Sequence, residues 1–217
     1  MDNKKIMKRA TDELMSLAEL KEDLYFKKIP DDKVKYYVNE SIKIGQEEAR
    51  NILNTYEGKS VIEICKEKKI RLDKPDEEYD FEIVRLRAKY DSDIQSIILY
   101  DLSIKKVESA LNDSKVGLKF AYDEIKEMQI AHELYHYLED KEIGATYEKL
   151  DDIRVFLTKR YPVMKCSDIA AHIFCKELLK LSFHPKILDY FYLVGTGYAD
   201  VVFLENYLSE LEIIANN

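Results

Sequence analysis

The stretch from Gln129 to Glu139 reads QIAHELYHYLE and sets His132, Glu133 and His136 in the order H-E-x-x-H inside an apolar run. Ile125, Met128, Ile130, Leu134, Tyr135 and Leu138 surround the three polar positions. Read as a helix, the run is apolar on nearly every side and must be buried, so the fold has to be built around it. Residues four apart share a helix face, which gives His132 and His136 a common outlook, while Glu133 is turned about 100° from His132.

Working outward, helical spacing dominates. From Lys5 to Leu24 the positions Ile6, Ala10, Leu14, Leu17, Leu20 and Leu24 recur at intervals of three and four, predicting one amphipathic helix. A second, long helix is predicted from the aspartates after Pro30 to Gly58, with Val34, Val38, Ile42, Ala49 and Ile52 as its apolar positions. SVIEICKEKKI reads as a short helix with Ser60 as N-cap.

The texture changes near Arg71. DFEIVRLRAKY, with Phe81, Ile83 and Leu86, then DSD and the β-branched IQSIILY predict a hairpin. Helical pattern returns at Ser103, and the helix carrying the opening stretch is expected over residues 119–144, with Gly144 as its stop.

After Tyr147 the pattern is helical again up to Pro162, resumes through SDIAAHIFCKELLKL and breaks at Pro185. Two last helices follow, where Tyr190, Phe191, Tyr192, Tyr198 and Phe203 are expected to pack a C-terminal core. The expected class is α+β, mostly helical, with a small antiparallel sheet on the central helix. Residues 1–58 form a helical segment ahead of a domain over 59–217, the two making one compact unit.

A length of 217 residues with 46% hydrophobic content suffices for one good-sized core. The net charge of −8, with lysines dispersed among acids, argues against a nucleic-acid surface, which needs clustered Lys and Arg. No run reaches the roughly 18 apolar residues of a membrane span. The start, MDNKKIMKRATDEL, carries no apolar signal segment, and Cys65, Cys166 and Cys175 are odd in number without C-x-x-C spacing. The expectation is a cytoplasmic protein with reduced thiols.

Four histidines in this length produce H-E-x-x-H by chance at a rate on the order of one per cent. One reading of the motif is a pair of helix histidines without metal. The other is a zinc site, in which the imidazoles of His132 and His136 bind one Zn²⁺ and Glu133 activates the zinc-bound water as general base. Two buried imidazoles without partners are costly, and zinc supplies the partner.

A catalytic zinc keeps three protein ligands and one open position. The pattern H-E-x-x-H-x-x-G-x-x-H is excluded, since Glu139 and Glu142 stand where its glycine and third histidine would be. Downstream carboxylates are Glu148, Asp151, Asp152, Asp168 and Glu177. In CSDIAAHIFCKELL, Asp168, His172 and Cys175 are spaced by four and three and share a face.

Asp168 reads either as third ligand or, with Ser167, as the helix cap. His172 reads as a catalytic group contacting an oxyanion, or as the ligand itself. Asp152 stays in reserve as ligand. Cys175 reads as buried filler and His184, before Pro185, as a loop or capping residue.

The segment from the hairpin through IAHELYHYLED to SDIAAHIFCKELL resembles the ImmA/IrrE-type metallopeptidases, zincins found in mobile elements. The resemblance spans roughly residues 60–181. It implies a compact zincin with a small sheet against the active-site helix, His132, His136 and Asp168 as metal ligands, and Glu133 as general base. Asp168 is one methylene shorter than the glutamate usual there, and Tyr135 replaces a common glycine, either narrowing the site or offering a hydroxyl to it.

It also implies a protein substrate of the repressor class. The function expected is thus a zinc-dependent endopeptidase acting on a cytosolic protein. The alternative is a zinc-holding regulatory or toxin–antitoxin module without turnover. IQSIILY reads either as a sheet edge onto which an extended substrate adds or as an ordinary buried strand.

Overall fold

Thr11 divides the first predicted helix in two. Its hydroxyl accepts from the Leu14 N–H at 3.3 Å, ending α1 (Asn3–Arg9) and starting α2 (Asp12–Leu20). Leu24 therefore lies beyond the helix and is 85% exposed, against the expectation of an apolar stripe reaching it. The computed structural model describes residues 3–75, 86–155 and 159–216.

Pro30 precedes α3 (Asp31–Thr55), with Asp31 and Asp32 in the first turn, where carboxylates oppose the helix dipole. Val38, Ala49 and Ile52 are buried as expected, but the inner face also carries Tyr37, Ser41 and Gly45. A Cβ at Gly45 would run into the Ala170 carbonyl, so glycine here sets how closely the two helices meet. Ser60 caps α4 (Val61–Glu67) in a reciprocal box with Glu63.

Three short strands form one sheet. β1 (Arg71–Asp73) runs parallel to β3 (Ser96–Leu99), and β2 (Ala88–Asp91) pairs with β3 antiparallel, Tyr90 facing Ile97. β2 and β3 are the expected hairpin, whereas β1 was not anticipated. Phe81 and Ile83 lie outside the described residues. Because β3 sits between two partners, IQSIILY supplies no edge, and the edge facing the central helix belongs to β2.

α5 (Asp101–Asn112) buries Ile104, Val107, Ala110 and Leu111. The central helix α6 (Tyr122–Leu138) buries eight of its residues and packs on α4, α5 and the sheet. It continues through a π-helical turn, Glu139–Ile143, and stops at Gly144, whose φ of +74° favours glycine.

The helix expected after Tyr147 is instead a 3₁₀ turn and a two-stranded hairpin, β4 (Ile153–Arg154) with β5 (Arg160–Tyr161). Buried Ile153 and Val155 flank exposed Arg154, the alternation of a strand. α7 (Lys165–Leu178) then packs against both α3 and α6.

α8 (Ile187–Thr196) and α9 (Val201–Asn216) close the chain. Phe191 and Tyr192 are buried there, but Tyr198 and Phe203 are more than half exposed and do not join a core. One hydrophobic cluster runs from Ile6 to Leu211, so the N-terminal helices share the core of the rest. The architecture is α+β, mostly helical with a small sheet, and among the described residues no helix is long and apolar enough to cross a membrane.

Candidate metal centre

His132 and His136 project from one face of α6 with their Nε2 atoms 3.2 Å apart. α7 brings Asp168 across, its Oδ1 at 3.9 Å from Nε2 of His132 and 3.8 Å from Nε2 of His136. The three are the one group of candidate ligands found among the described residues. A point equidistant from these three atoms lies about 2.1 Å from each, the length of zinc–imidazole and zinc–carboxylate bonds. The donor set therefore fits a zinc ion.

Asp168 is free to face the histidines because it does not cap its helix. α7 begins at Lys165, whose N–H is taken by Oδ2 of Asp23 at 3.1 Å, leaving Asp168 one turn in. Ser167, the other expected cap, donates its hydroxyl to Glu139 at 2.6 Å.

Glu139 is the residue the sequence reasoning missed. Its Oε2 sits 2.9 Å from Nδ1 of His136, and its Oε1 accepts from the Thr146 N–H at 2.7 Å as well as from Ser167. A carboxylate holding Nδ1–H leaves the lone pair of Nε2 for a metal. The His-x-x-Glu spacing of His136 and Glu139 was the signal available. Burial alone would raise the Glu139 carboxyl, but its hydrogen bonds to His136, Ser167 and Thr146 hold it below the ordinary range.

The electrostatics of the two imidazoles differ. Burial, together with the His172 and His136 rings, pushes His132 well below its ordinary value, so it is neutral. Burial opposes charge on His136 too, yet the hydrogen bond to Glu139 and the charges of Glu133 and Asp168 outweigh it and push the ring up to about 9. Without a metal, the surrounding carboxylates draw a proton to the place a cation would take.

Glu133 faces the same space from the next position of α6. Its Oε2 accepts from the Tyr90 N–H of β2 at 2.7 Å, and desolvation raises its carboxyl above the ordinary value, making it a stronger base. His172 packs its ring 4.6 Å from that of His132, with Nε2 3.6 Å from Glu19 and a buried Nδ1 without a partner.

Tyr135 contributes nothing to the site. It is fully buried against Phe174, and its hydroxyl is 2.6 Å from Thr146 Oγ1. Glu148, Asp151, Asp152 and Glu177 take no part in the ligand group, and Asp151 pairs with Lys33 at 2.9 Å. Cys175 is buried with Sγ 3.4 Å from the Met128 carbonyl, and His184, in the loop ahead of α8, accepts the Lys186 N–H on Nδ1 at 3.2 Å.

His132, Glu133 and Asp168 open on a cleft of about 360 Å³ whose far wall is charged. Glu19 of α2, 2% exposed, binds Lys165 and Lys186 at 2.6 Å each. Lys186 also reaches Glu22 at 2.8 Å, and Arg87 pairs with Asp189 at 2.5 Å. A glutamate inside the apolar run LMSLAEL hinted at Glu19, but its partners are distant in sequence. The chain matches no family model, no curated protein and no solved structure, so its own geometry carries the functional reading.

Proposed function

We propose that this protein is a zinc-dependent endopeptidase with a zincin-like core, acting on a protein or peptide substrate. The observation that carries the reading is the convergence of His132, His136 and Asp168 beside a base, Glu133, at the mouth of an open cleft. Two imidazoles and one carboxylate leave a tetrahedral ion one position for water or substrate, the arrangement of a catalytic rather than a structural zinc. A bound zinc would supply Lewis acidity, polarising a peptide carbonyl and acidifying water.

The chain's own residues do the rest. Glu133 accepts a proton from the attacking water and delivers it to the departing amine, a role suited to a carboxyl raised by desolvation and steadied by the Tyr90 N–H. Glu139 fixes the ring of His136, and Lys165, 3.1 Å from Oδ2 of Asp168, orients that carboxylate. His172 lies close enough to the histidine pair to steady charge on the reacting group. The repressor class of substrate rests on the family resemblance alone.

The test combines metal analysis with cleavage of a denatured protein mixture read by labelling of new N-termini. About one zinc per chain, with cleavage abolished in Glu133→Gln at unchanged zinc content, supports the reading. Cleavage that survives Glu133→Gln removes it.

A further inference from the structure

Among the described residues three cations line the cleft, and two are saturated. Lys186 holds Glu19 and Glu22 at 2.6 and 2.8 Å, and Lys165 holds Glu19 and Asp168 at 2.6 and 3.1 Å. Arg87, which immediately precedes β2, is different. It is 9% exposed, its Nη1 is 2.5 Å from Asp189 Oδ1, and its guanidinium lies over the Tyr192 ring at 5.9 Å. Its Nε and Nη2 are buried and have no hydrogen-bond partner.

Those two nitrogens form one edge of the guanidinium, where two N–H bonds run parallel and grip both oxygens of a carboxylate. Buried charged donors are rarely left unused in a native protein, and leaving a whole edge unpaired costs more than a single missing bond. Asp189 and the Tyr192 ring hold the guanidinium in place, so the unpaired edge is already oriented. Arg87 lines the cleft that also contains His132 and Glu133.

We propose that Arg87 is a specificity residue that binds a substrate carboxylate through its Nε–Nη2 edge. The claim rests on the peptidase reading and narrows its substrate class to peptides carrying a carboxylate near the scissile bond. The same chemistry has two sources, a free C-terminus or an Asp or Glu side chain. A single negative charge fits better than a dianionic phosphate, because Glu133, Asp168 and Asp189 already line the cleft.

The test uses three probes: acetyl-Phe-Ala with a free C-terminus, acetyl-Phe-Glu-amide and acetyl-Phe-Gln-amide. Binding to the metal-free full chain is measured by calorimetry, since a carboxylate could otherwise ligate zinc directly. At least one acid should bind about tenfold more tightly than the Gln amide. Whichever acid is favoured identifies the source of the carboxylate.

Arg87→Lys, which keeps a cation for Asp189 but loses the fork, should bring that ratio close to one. Should that variant not fold, Arg87→Gln combined with Asp189→Asn removes both ends of the buried pair and should do the same. Equal binding of all three probes, absence of binding by either acid, or a ratio unchanged in the variant that folds overturns the proposal. Longer quenched peptides ending in these sequences are then offered to the zinc-loaded chain. Failure to cut any of them counts against the peptidase reading, while the binding ratio still decides the role of Arg87.

Discussion

Oε2 of Glu139 lies 2.9 Å from Nδ1 of His136, and the same carboxylate takes the backbone N–H of Thr146 and the hydroxyl of Ser167. One buried side chain thus joins the end of α6, the turn after it and the start of α7, the elements that carry the candidate ligands. Glu139→Gln keeps the shape but offers Nδ1 an N–H, driving the imidazole proton to Nε2, the ligand atom. Zinc affinity should fall about 10- to 100-fold, measured by competition with a chromophoric chelator.

Asp168→Ala removes a candidate ligand rather than its support. The loss should be at least as large as that in Glu139→Gln, and added zinc should no longer raise the unfolding temperature, as mass action requires when binding fails. Full zinc occupancy in this variant would shift the third position to another residue, with His172 and Asp152 the ones to substitute next.

Glu19 and Lys186 are a buried ion pair, their side chains 3% and 5% exposed at 2.6 Å. Glu19→Leu takes from Lys186 its most buried partner, leaving Glu22 at 2.8 Å and Asp189 at 3.5 Å, and should cost up to about 3–5 kcal/mol by denaturant titration. Glu19→Leu combined with Lys186→Met should recover most of that loss.

Burial alone would raise the Glu19 carboxyl, but the nearby His172 ring and the charges of Lys186 and Lys165 hold it well below the ordinary carboxylate range. A carboxylate depressed in the folded state stabilises at pH above its unfolded value, and that contribution vanishes as pH falls through the folded one. Wild type should therefore lose stability steeply in acid, and the double variant should lose less.

Gly45→Ala sets two effects against each other. Alanine gains about 1 kcal/mol of helix propensity, whereas a methyl group driven into the Ala170 carbonyl costs about 1–3 kcal/mol. Crowding should win, lowering the midpoint of thermal unfolding by several degrees. Because α7 carries Asp168, zinc affinity should weaken in the same variant.

Much of this was legible in the residues. The length of α3, the Ser60 cap, the β2–β3 hairpin and the stop at Gly144 follow from local chemistry, and four-residue spacing puts His132 and His136 on one face. What escaped was set by distant partners. The break at Thr11 interrupts no apolar spacing, and the inner face of α3 uses Ser41 and Gly45, small residues that a count of hydrophobic side chains passes over. That Asp168 does not cap α7 depends on Asp23, far away in sequence, which holds the start of that helix. β1 has only three residues, and its pairing with β3 depends on a parallel register that no local pattern encodes.

The opening helices are tied to the closing one by ion pairs, Arg9 to Glu212 at 3.0 Å and Lys21 to Glu210 at 2.7 Å, while Glu19 reaches into the cleft beside His132. A protease nick in the exposed turn around Leu24 should therefore release no free peptide under native conditions. The two fragments should travel together on gel filtration and separate only in denaturant, and a recombinant piece starting after residue 58 should arrive with Lys165 and Lys186 deprived of the buried carboxylate they share.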